Sequence, residues 1–207
     1  MATTAVRDGD NWLLNGEKRW IGGAGSADFI PIFARNPENN DILCFMVSTA
    51  TEGLTVEKID GKIALRLVQN GHIHLKDVQV AEAFRLPKIQ SFRDVSRILY
   101  ATRADVSHIT AGGHAGALRA ALKYTGQREQ FGKKVSQFQI TQEKLARMQA
   151  NAATGLSLSY RLAELQTEGK YAEVPASIAK MQNARLLRET VALGREICGG
   201  NGLKRRG

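Results

Sequence analysis

Several clusters of residues in this chain have side chains or bare backbone suited to gripping a phosphate-bearing or aromatic ligand. The first is Arg128-Glu129-Gln130-Phe131-Gly132, followed by Phe138-Gln139. An Arg there offers a fork of N–H donors that can hold a phosphate in two places. Gly132 breaks the helical pattern, and Gln139 opens the next helix, whose N-terminal N–H groups favour an anion. A polar loop between helices would read the same way. The second cluster is Glu196-Ile197-Cys198-Gly199-Gly200-Asn201-Gly202, at the end of a long helical pattern. Gly tolerates the left-handed backbone that closes a helix. It also leaves N–H groups uncovered, a shape that cradles phosphate; a plain helix cap is the alternative. In the third, Lys18-Arg19-Trp20-Ile21-Gly22-Gly23 ends a strand pattern. Trp20 could fill a core or lie flat against an aromatic ring, and the glycines leave backbone open to a ligand or simply form a loose loop. The fourth is Arg103, placed after Thr102 near a helix start. A cation is poorly placed for the helix dipole there, so it calls for a carboxylate or phosphate partner unless it is a solvated surface residue.

Other chemistries find less support. His72 and His74 share a strand face, but the sequence supplies no third ligand beside them, so no metal site is expected. Neither a Gly-x-Ser-x-Gly elbow nor a Gly-x-x-x-x-Gly-Lys-Ser/Thr loop occurs. Gly112-Gly113-His114-Ala115-Gly116 falls inside a helical pattern, where small residues allow close helix packing. The net charge is +9, yet the basic residues are scattered without a run or an aromatic stripe. Nucleic acid is therefore not the expected partner, and the sign suits a protein that handles phosphate-rich small molecules. No apolar run approaches the ~18 residues of a membrane span, and no signal segment opens the sequence. Cys44 and Cys198 lie far apart, which favours free thiols in a reducing compartment.

The elements that must position these residues fall into two halves. Residues 1 to about 90 read as strand and turn. Trp12-Leu13-Leu14, Asn15-Gly16 and Glu17 to Ile21 give a hairpin signal centred on Asn-Gly. Phe29 to Ala34 and Ile42 to Val47 are apolar strand candidates, with Pro31 expected at an edge or bulge. Gly71-His72-Ile73-His74-Leu75 alternates as a half-buried strand. From Phe92 the period changes, and long helices are predicted over about Asp94–Gln127, Gln137–Glu168 and Val174–Cys198. The second should bury Leu145, Met148, Ala152, Leu156, Ser159 and Leu162; the third should bury Met181, Ala184, Leu187, Val191, Gly194 and Cys198. The fold class is α+β: a partial β-rich middle domain (1–90) followed by an incomplete C-terminal antiparallel helical bundle (91–207).

In this order, N-G-E-K-R-W-I-G at 15–22, T-R at 102–103, R-E-Q-F-G at 128–132 with F-Q at 138–139, and E-I-C-G-G-N-G at 196–202 resemble the acyl-CoA dehydrogenase and acyl-CoA oxidase flavoproteins. The stretch K-I-A-L-R-L-V-Q-N-G at 62–71, with R-L-P at 85–87, looks closest to the short-chain acyl-CoA oxidase of plant peroxisomes, with glutaryl-CoA dehydrogenases as near relatives. The resemblance implies FAD as cofactor, an acyl-CoA substrate and a homodimer or homotetramer with FAD between subunits. Trp20, Ile21 and Gly22 would pack on the flavin. Arg128 would contact the FAD diphosphate, and Gln139 would be a second FAD contact. Glu196, Ile197, Cys198, Gly199 and Gly200 would meet the FAD of the partner subunit, and Arg103 would contact acyl-CoA. The implied reaction is α,β-dehydrogenation of an acyl-CoA thioester, with oxygen or an electron-transfer flavoprotein as acceptor. The implied address is the peroxisome, with the mitochondrial matrix or a bacterial cytoplasm as alternatives.

The sequence also departs from the family pattern. Gly22 stands where dehydrogenases carry a Thr or Ser whose hydroxyl bonds the flavin, a change that favours the oxidase branch and leaves Ser26 as the nearest substitute. The family pattern begins before Met1, and the tail Lys204-Arg205-Arg206-Gly207 has no carboxylate side chain. No catalytic residue is therefore assigned: the family Glu is expected beyond the C-terminus, and the chain alone is expected to be inactive. A non-catalytic FAD- or CoA-binding or scaffold protein is the alternative.

Overall fold

The computed structural model describes residues 1–203; the tail discussed above, 204–207, lies outside them. The chain divides into two compact units, Met1–Arg97 and the residues from Ile98 onward. Strands fill the first and helices dominate the second, so the fold is α+β with the two kinds of element segregated along the chain.

In the first unit β1 (Thr4–Asp8), β2 (Asn11–Gly22), β3 (Phe29–Arg35), β4 (Ile42–Ser48), β5 (Leu54–Lys58) and β6 (Asn70–Ala81) form one sheet in the order β4-β3-β1-β2-β6-β5. Side chains alternate across a strand. Accordingly β3 buries Ile30, Ile32 and Ala34, and β6 buries Ile73 and Leu75 while His72 and His74 stay half-exposed. These residues join Leu14, Phe45 and Val47 in one core, each large side chain contributing about 1.5–3 kcal/mol. Pro31 lies in β3, an interior strand by order. But β3 meets β1 only at Thr4↔Arg35, so opposite Pro31 the only partner is Met46 of β4. The missing N–H costs no ladder bond on the other side.

The hairpin expectation at Asn15-Gly16 is corrected. The chain turns between β1 and β2 at Gly9-Asp10, where Asp8 pairs with Asn11, and Asn15-Gly16 sits in mid-strand. Here β2 shifts register against β6 between Leu14 and Gly16. Asn15 secures that bulge: its Nδ2 donates to Asp77 Oδ1 (3.0 Å), and its Oδ1 accepts from the Asp77 N–H (2.8 Å). Gly16 is needed for close approach as well as for its φ of +131°, because a Cβ there would stand 2.8 Å from Thr3 Cα. Asn-Gly is therefore a bulge with a bonded partner, where local sequence alone reads as a turn.

The boundary between the units falls within α1 (Phe92–Ala101), and the second unit continues with α2 (Arg103–Gln127), α3 (Gln139–Thr167) and α4 (Glu173–Ile197). The helix expected over 94–127 is two helices broken at Thr102. The Thr102 hydroxyl donates to the Ile98 carbonyl (3.2 Å), the kind of local side-chain bond that competes with a helix. Between α2 and α3 the chain forms a small hairpin, β7 (Glu129–Gln130) with β8 (Lys133–Lys134). Phe131 and Gly132 turn it with φ of +52° and +78°, as a two-residue primed turn requires.

The buried stripes also need correction. On α3, Met148, Ser159 and Leu162 are buried as expected, but Leu156 is 64% exposed and Gly155 is buried instead. On α4 the buried residues are Ala176, Ala179, Asn183, Leu186, Thr190 and Leu193; Met181 and Val191 are exposed. The face turned inward is set by polar partners. Asn183 Nδ2 donates to Ser107 Oγ (2.8 Å), to the Gly155 carbonyl (3.0 Å) and to Ser159 Oγ (3.2 Å), tying α4 to α2 and α3. Of the small residues at 112–116, Gly113 packs tightest, where a Cβ would meet Leu187 at 3.0 Å.

Candidate functional site

The ends of α2 and α4 meet around a cavity of about 370 Å³ lined by Tyr124, Arg128, Gln130, Val135 and residues 197–201. Arg128 caps α2: its N–H reaches the Tyr124 carbonyl (2.9 Å), and its carbonyl accepts the Val135 N–H (2.9 Å). Among the described residues no hydrogen bond or ion pair engages its guanidinium, which leaves the fork available to a ligand. On the far side α4 ends at Ile197, and Gly199 takes φ +55°, the left-handed conformation that closes a helix. A short 3-10 turn, Gly199–Gly202, follows. Added Cβ atoms at Gly199 and Gly200 would meet nothing within 4 Å, and both glycines line the cavity. Gly202 is closed by contrast: an added Cβ there would stand 2.2 Å from the Arg195 carbonyl oxygen. The turn is thus both a helix cap and an open backbone surface.

Two further residues of this cavity were missed in the sequence. Asn201 Nδ2 donates to the Tyr124 hydroxyl (3.1 Å), pinning the glycine turn to α2 one helical turn before Arg128. Asn201 lies within the motif and Tyr124 four residues before Arg128, but only the helix pairing brings them together. Gln139 and Glu196 are not among the residues lining the cavity. Gln139 is exposed at the start of α3, and Glu196 pairs with Lys144 at 2.8 Å.

The helix pair that holds this cavity open is registered by a buried histidine. His114 of α2 is fully buried, its Nδ1 2.9 Å from Thr190 Oγ1 and its Nε2 3.3 Å from the Asn183 carbonyl, both on α4. Burial holds its pKa below the ordinary imidazole value, against the opposing pull of the Asn183 carbonyl. In a neutral ring whose Nε2–H donates to the carbonyl, Nδ1 is an acceptor that shares the Thr190 hydroxyl proton with the Leu186 carbonyl, 3.1 Å from that hydroxyl.

In the sheet unit Trp20 is 56% exposed and has φ +66°, so the core reading fails. A bulky residue in that region is strained. It occupies a second irregularity of β2 against β6, between Lys18 and Ile21. The strain is held by a clamp absent from the sequence reading: Asn70 Nδ2 donates to the Trp20 carbonyl (3.1 Å), and Lys62 Nζ donates to Asn70 Oδ1 (2.6 Å). Ile21 packs against the core, and Gly22 is exposed with Val68 beside it. Ser26 Oγ donates to the Gly23 carbonyl at 3.2 Å, so its hydroxyl is engaged within its own loop.

Arg103 has the carboxylate partner its position calls for. Its Nη1 lies 2.5 Å from Glu173 Oε1 and 2.9 Å from Ser177 Oγ, which ties the start of α2 to the start of α4.

Comparison with known proteins adds the family. The model of the acyl-CoA dehydrogenase C-terminal domain matches residues 92–207, and that of the middle domain matches residues 1–78. The caffeyl-CoA reductase-Etf complex subunit CarC of Acetobacterium woodii is 32% identical over 206 residues, covering 98% of this chain and 54% of its own length. The mitochondrial short-chain specific acyl-CoA dehydrogenase of Bos taurus is 30% identical, covering 97% and 50%. A glutaryl-CoA dehydrogenase crystal structure from Mycobacterium smegmatis superposes with a TM-score of 0.94 at 33% identity, over 99% of this chain and 52% of that one. Another from that organism, in complex with FADH2, gives 0.94 at 30% identity, over 99% and 52%. The chain spans about half the length of the relatives it matches.

Proposed function

Because the chain belongs to the acyl-CoA dehydrogenase family, a family of FAD flavoproteins, we propose that it takes part in FAD-dependent α,β-dehydrogenation of an acyl-CoA thioester. Residues 1–90 are read as belonging to the family's middle domain and residues 91–207 to its C-terminal domain. The observation that carries this reading is that Arg128, whose side chain has no partner among the described residues, lines one cavity with the uncrowded Gly199 and Gly200. A cation and glycine backbone lining the same cavity are groups a diphosphate could use. Arg128 would hold the FAD diphosphate, and Ile197, Cys198, Gly199 and Gly200 would form the facing wall, meeting a flavin that belongs to a partner subunit. Gln139 and Glu196 are the weaker assignments, since neither lines the cavity. The exposed face of Trp20, with Ile21 and Gly22 beside it, would pack on an isoalloxazine ring.

FAD, when bound, supplies the acceptor for the hydride that leaves the β-carbon. This chain's residues would bind and orient; proton abstraction from the α-carbon is assigned to none of them. The acceptor favoured is an electron-transfer flavoprotein, in line with relatives that are reductases and dehydrogenases, one of them a subunit of an Etf complex. The oxidase branch and a peroxisomal address lose their support on the same comparison, since the relatives include mitochondrial and bacterial enzymes. No helix among the described residues is long and apolar enough to cross a membrane. Arg103 remains a candidate acyl-CoA contact, although its pairing with Glu173 equally supports a structural tie.

The test is FAD binding followed by flavin fluorescence and absorbance on the purified 207-residue chain. Arg128→Ala is expected to weaken binding about 10- to 100-fold, the worth of a charge-assisted hydrogen bond of ~1.5–3 kcal/mol. Equal affinity of wild type and variant would remove Arg128 from the site.

A further inference from the structure

We propose that Glu17, His72 and His74 form a divalent transition-metal site of the zinc class on the outer face of the sheet. It is independent of the flavin chemistry proposed above. The strands dictate the cluster. His72 and His74 are two apart on β6, so both imidazoles leave the same face, while Ile73 between them and Leu75 beyond point into the core. Pairing with β2 sets Glu17 directly across from His74, and pairing with β5 sets Glu57 across from His72. Two histidines without a third ligand are what the sequence displays; the third comes from a strand more than fifty residues earlier.

The distances fit a metal. Two ligands about 2.0–2.1 Å from a tetrahedral zinc stand about 3.3 Å from each other. Glu17 Oε2 lies 3.0 Å from His72 Nε2, and Glu17 Oε1 lies 3.6 Å from His74 Nδ1. Ligand atoms of all three residues fall within 4.8 Å of one another. The imidazoles stand close, with ring centroids 4.0 Å apart and planes inclined at 40°. The outer nitrogen of His74, Nε2, is 3.8 Å from Glu57 Oε2. A carboxylate behind the non-ligating nitrogen of a metal-bound histidine fixes its tautomer and raises its basicity. Three protein ligands and a half-exposed face leave the fourth position to water.

The donor set also selects the ion. Two imidazoles and one carboxylate suit Zn²⁺, Co²⁺ or Ni²⁺, whereas Ca²⁺ and Mg²⁺ prefer an all-oxygen shell. A bound ion would join β2 to β6, with Glu57 of β5 supporting it. Its effect would be a staple across these strands at the point where β2 runs towards Trp20.

The experiment uses the full chain, free of any histidine tag, reduced and stripped with a chelator. It is titrated with Zn²⁺ against a chromophoric zinc indicator. One equivalent is expected to bind, and both His72→Ala and Glu17→Gln are expected to weaken it at least tenfold. Co²⁺ should give visible ligand-field bands without the near-ultraviolet charge transfer of a thiolate ligand. Zn²⁺, and not Mg²⁺, should raise the unfolding midpoint of the wild type but not of His74→Ala. Circular dichroism of each variant without metal establishes that it is folded. Zinc affinity that is unchanged in a folded His72→Ala/His74→Ala double variant, or a sulfur-to-cobalt band, would overturn the proposal. So would the absence of saturable binding by the wild type.

Discussion

Gly155→Ala is the sharpest test of how the helical unit holds its site. A Cβ on Gly155 would lie 3.0 Å from His114 Cδ2 and 3.4 Å from both His114 Nε2 and Asn183 Oδ1. Carbon–carbon contacts are comfortable at about 3.5–4.0 Å, so the methyl intrudes by roughly half an ångström. His114 has little room to yield: it is fully buried and tied at both nitrogens to α4. Overpacking of this kind costs about 1–3 kcal/mol, and the better helix propensity of Ala returns about 0.5–1 kcal/mol. The net expectation is a loss of about 0–2.5 kcal/mol. Gly112→Ala is the internal control, since a Cβ there meets nothing within 4 Å and only the propensity gain of about 0.5–1 kcal/mol remains. Gly113→Ala should fall between them, because its obstacle is the mobile end of Leu187. Urea unfolding followed by far-ultraviolet circular dichroism measures all three. Because His114 joins the helices whose ends carry Arg128 and Gly199, Gly155→Ala should also weaken FAD binding while Gly112→Ala should not. A Gly155→Ala protein as stable as Gly112→Ala would refute the packing argument.

Other outcomes follow from the same contacts. The His114 pKa is lowered in the folded chain, so the unfolded chain takes up a proton first as pH falls. The stability this residue contributes should therefore be fully present above about pH 6.5, the ordinary value. It should decline as pH drops below that and level off once the folded pKa is passed; His114→Gln should flatten this part of the profile, and an unchanged slope would exclude His114 as its source. Burial pushes the Cys44 thiol up to about 11, so Cys44 should resist alkylation at pH 8 until the sheet unfolds, as peptide mass mapping would reveal. Asn70→Ala removes the donor to the Trp20 carbonyl. It should release the strained turn, seen as altered tryptophan fluorescence and weaker FAD binding with little change in helix content.

What the sequence made legible was local. Gly199 closes α4 because a helix running into Gly-Gly has few other ways to end, and the alternation of residues 71–75 appears unchanged in β6. The helix end at Arg128 was legible for the same reason: residue types and a helix end are both readable within a short window. What failed depended on a partner strand or helix. Asn15-Gly16 has the composition of a turn, and only Asp77 across the bulge makes it mid-strand. Counting apolar residues on α4 points to Met181 and Val191, yet the helix turns Asn183 and Thr190 inward because Ser107, Ser159 and His114 lie opposite.

The same reasoning separates the two arginines. Both sit at helix ends and both fall in segments that resemble family motifs. Arg103 meets Glu173, seventy residues on, and its charge is already compensated within the chain. For Arg103 to hold a substrate phosphate, the ligand must first compete with that carboxylate, a contest a charge-assisted pair makes costly. Arg128 meets no such rival among the described residues and lines a cavity with Gly199 and Gly200. Removing Arg103 should therefore act first on stability and removing Arg128 first on ligand affinity. Unfolding and FAD titrations on Arg103→Ala and Arg128→Ala give the comparison. Loss of FAD affinity in Arg103→Ala with no loss of stability would reverse the assignment.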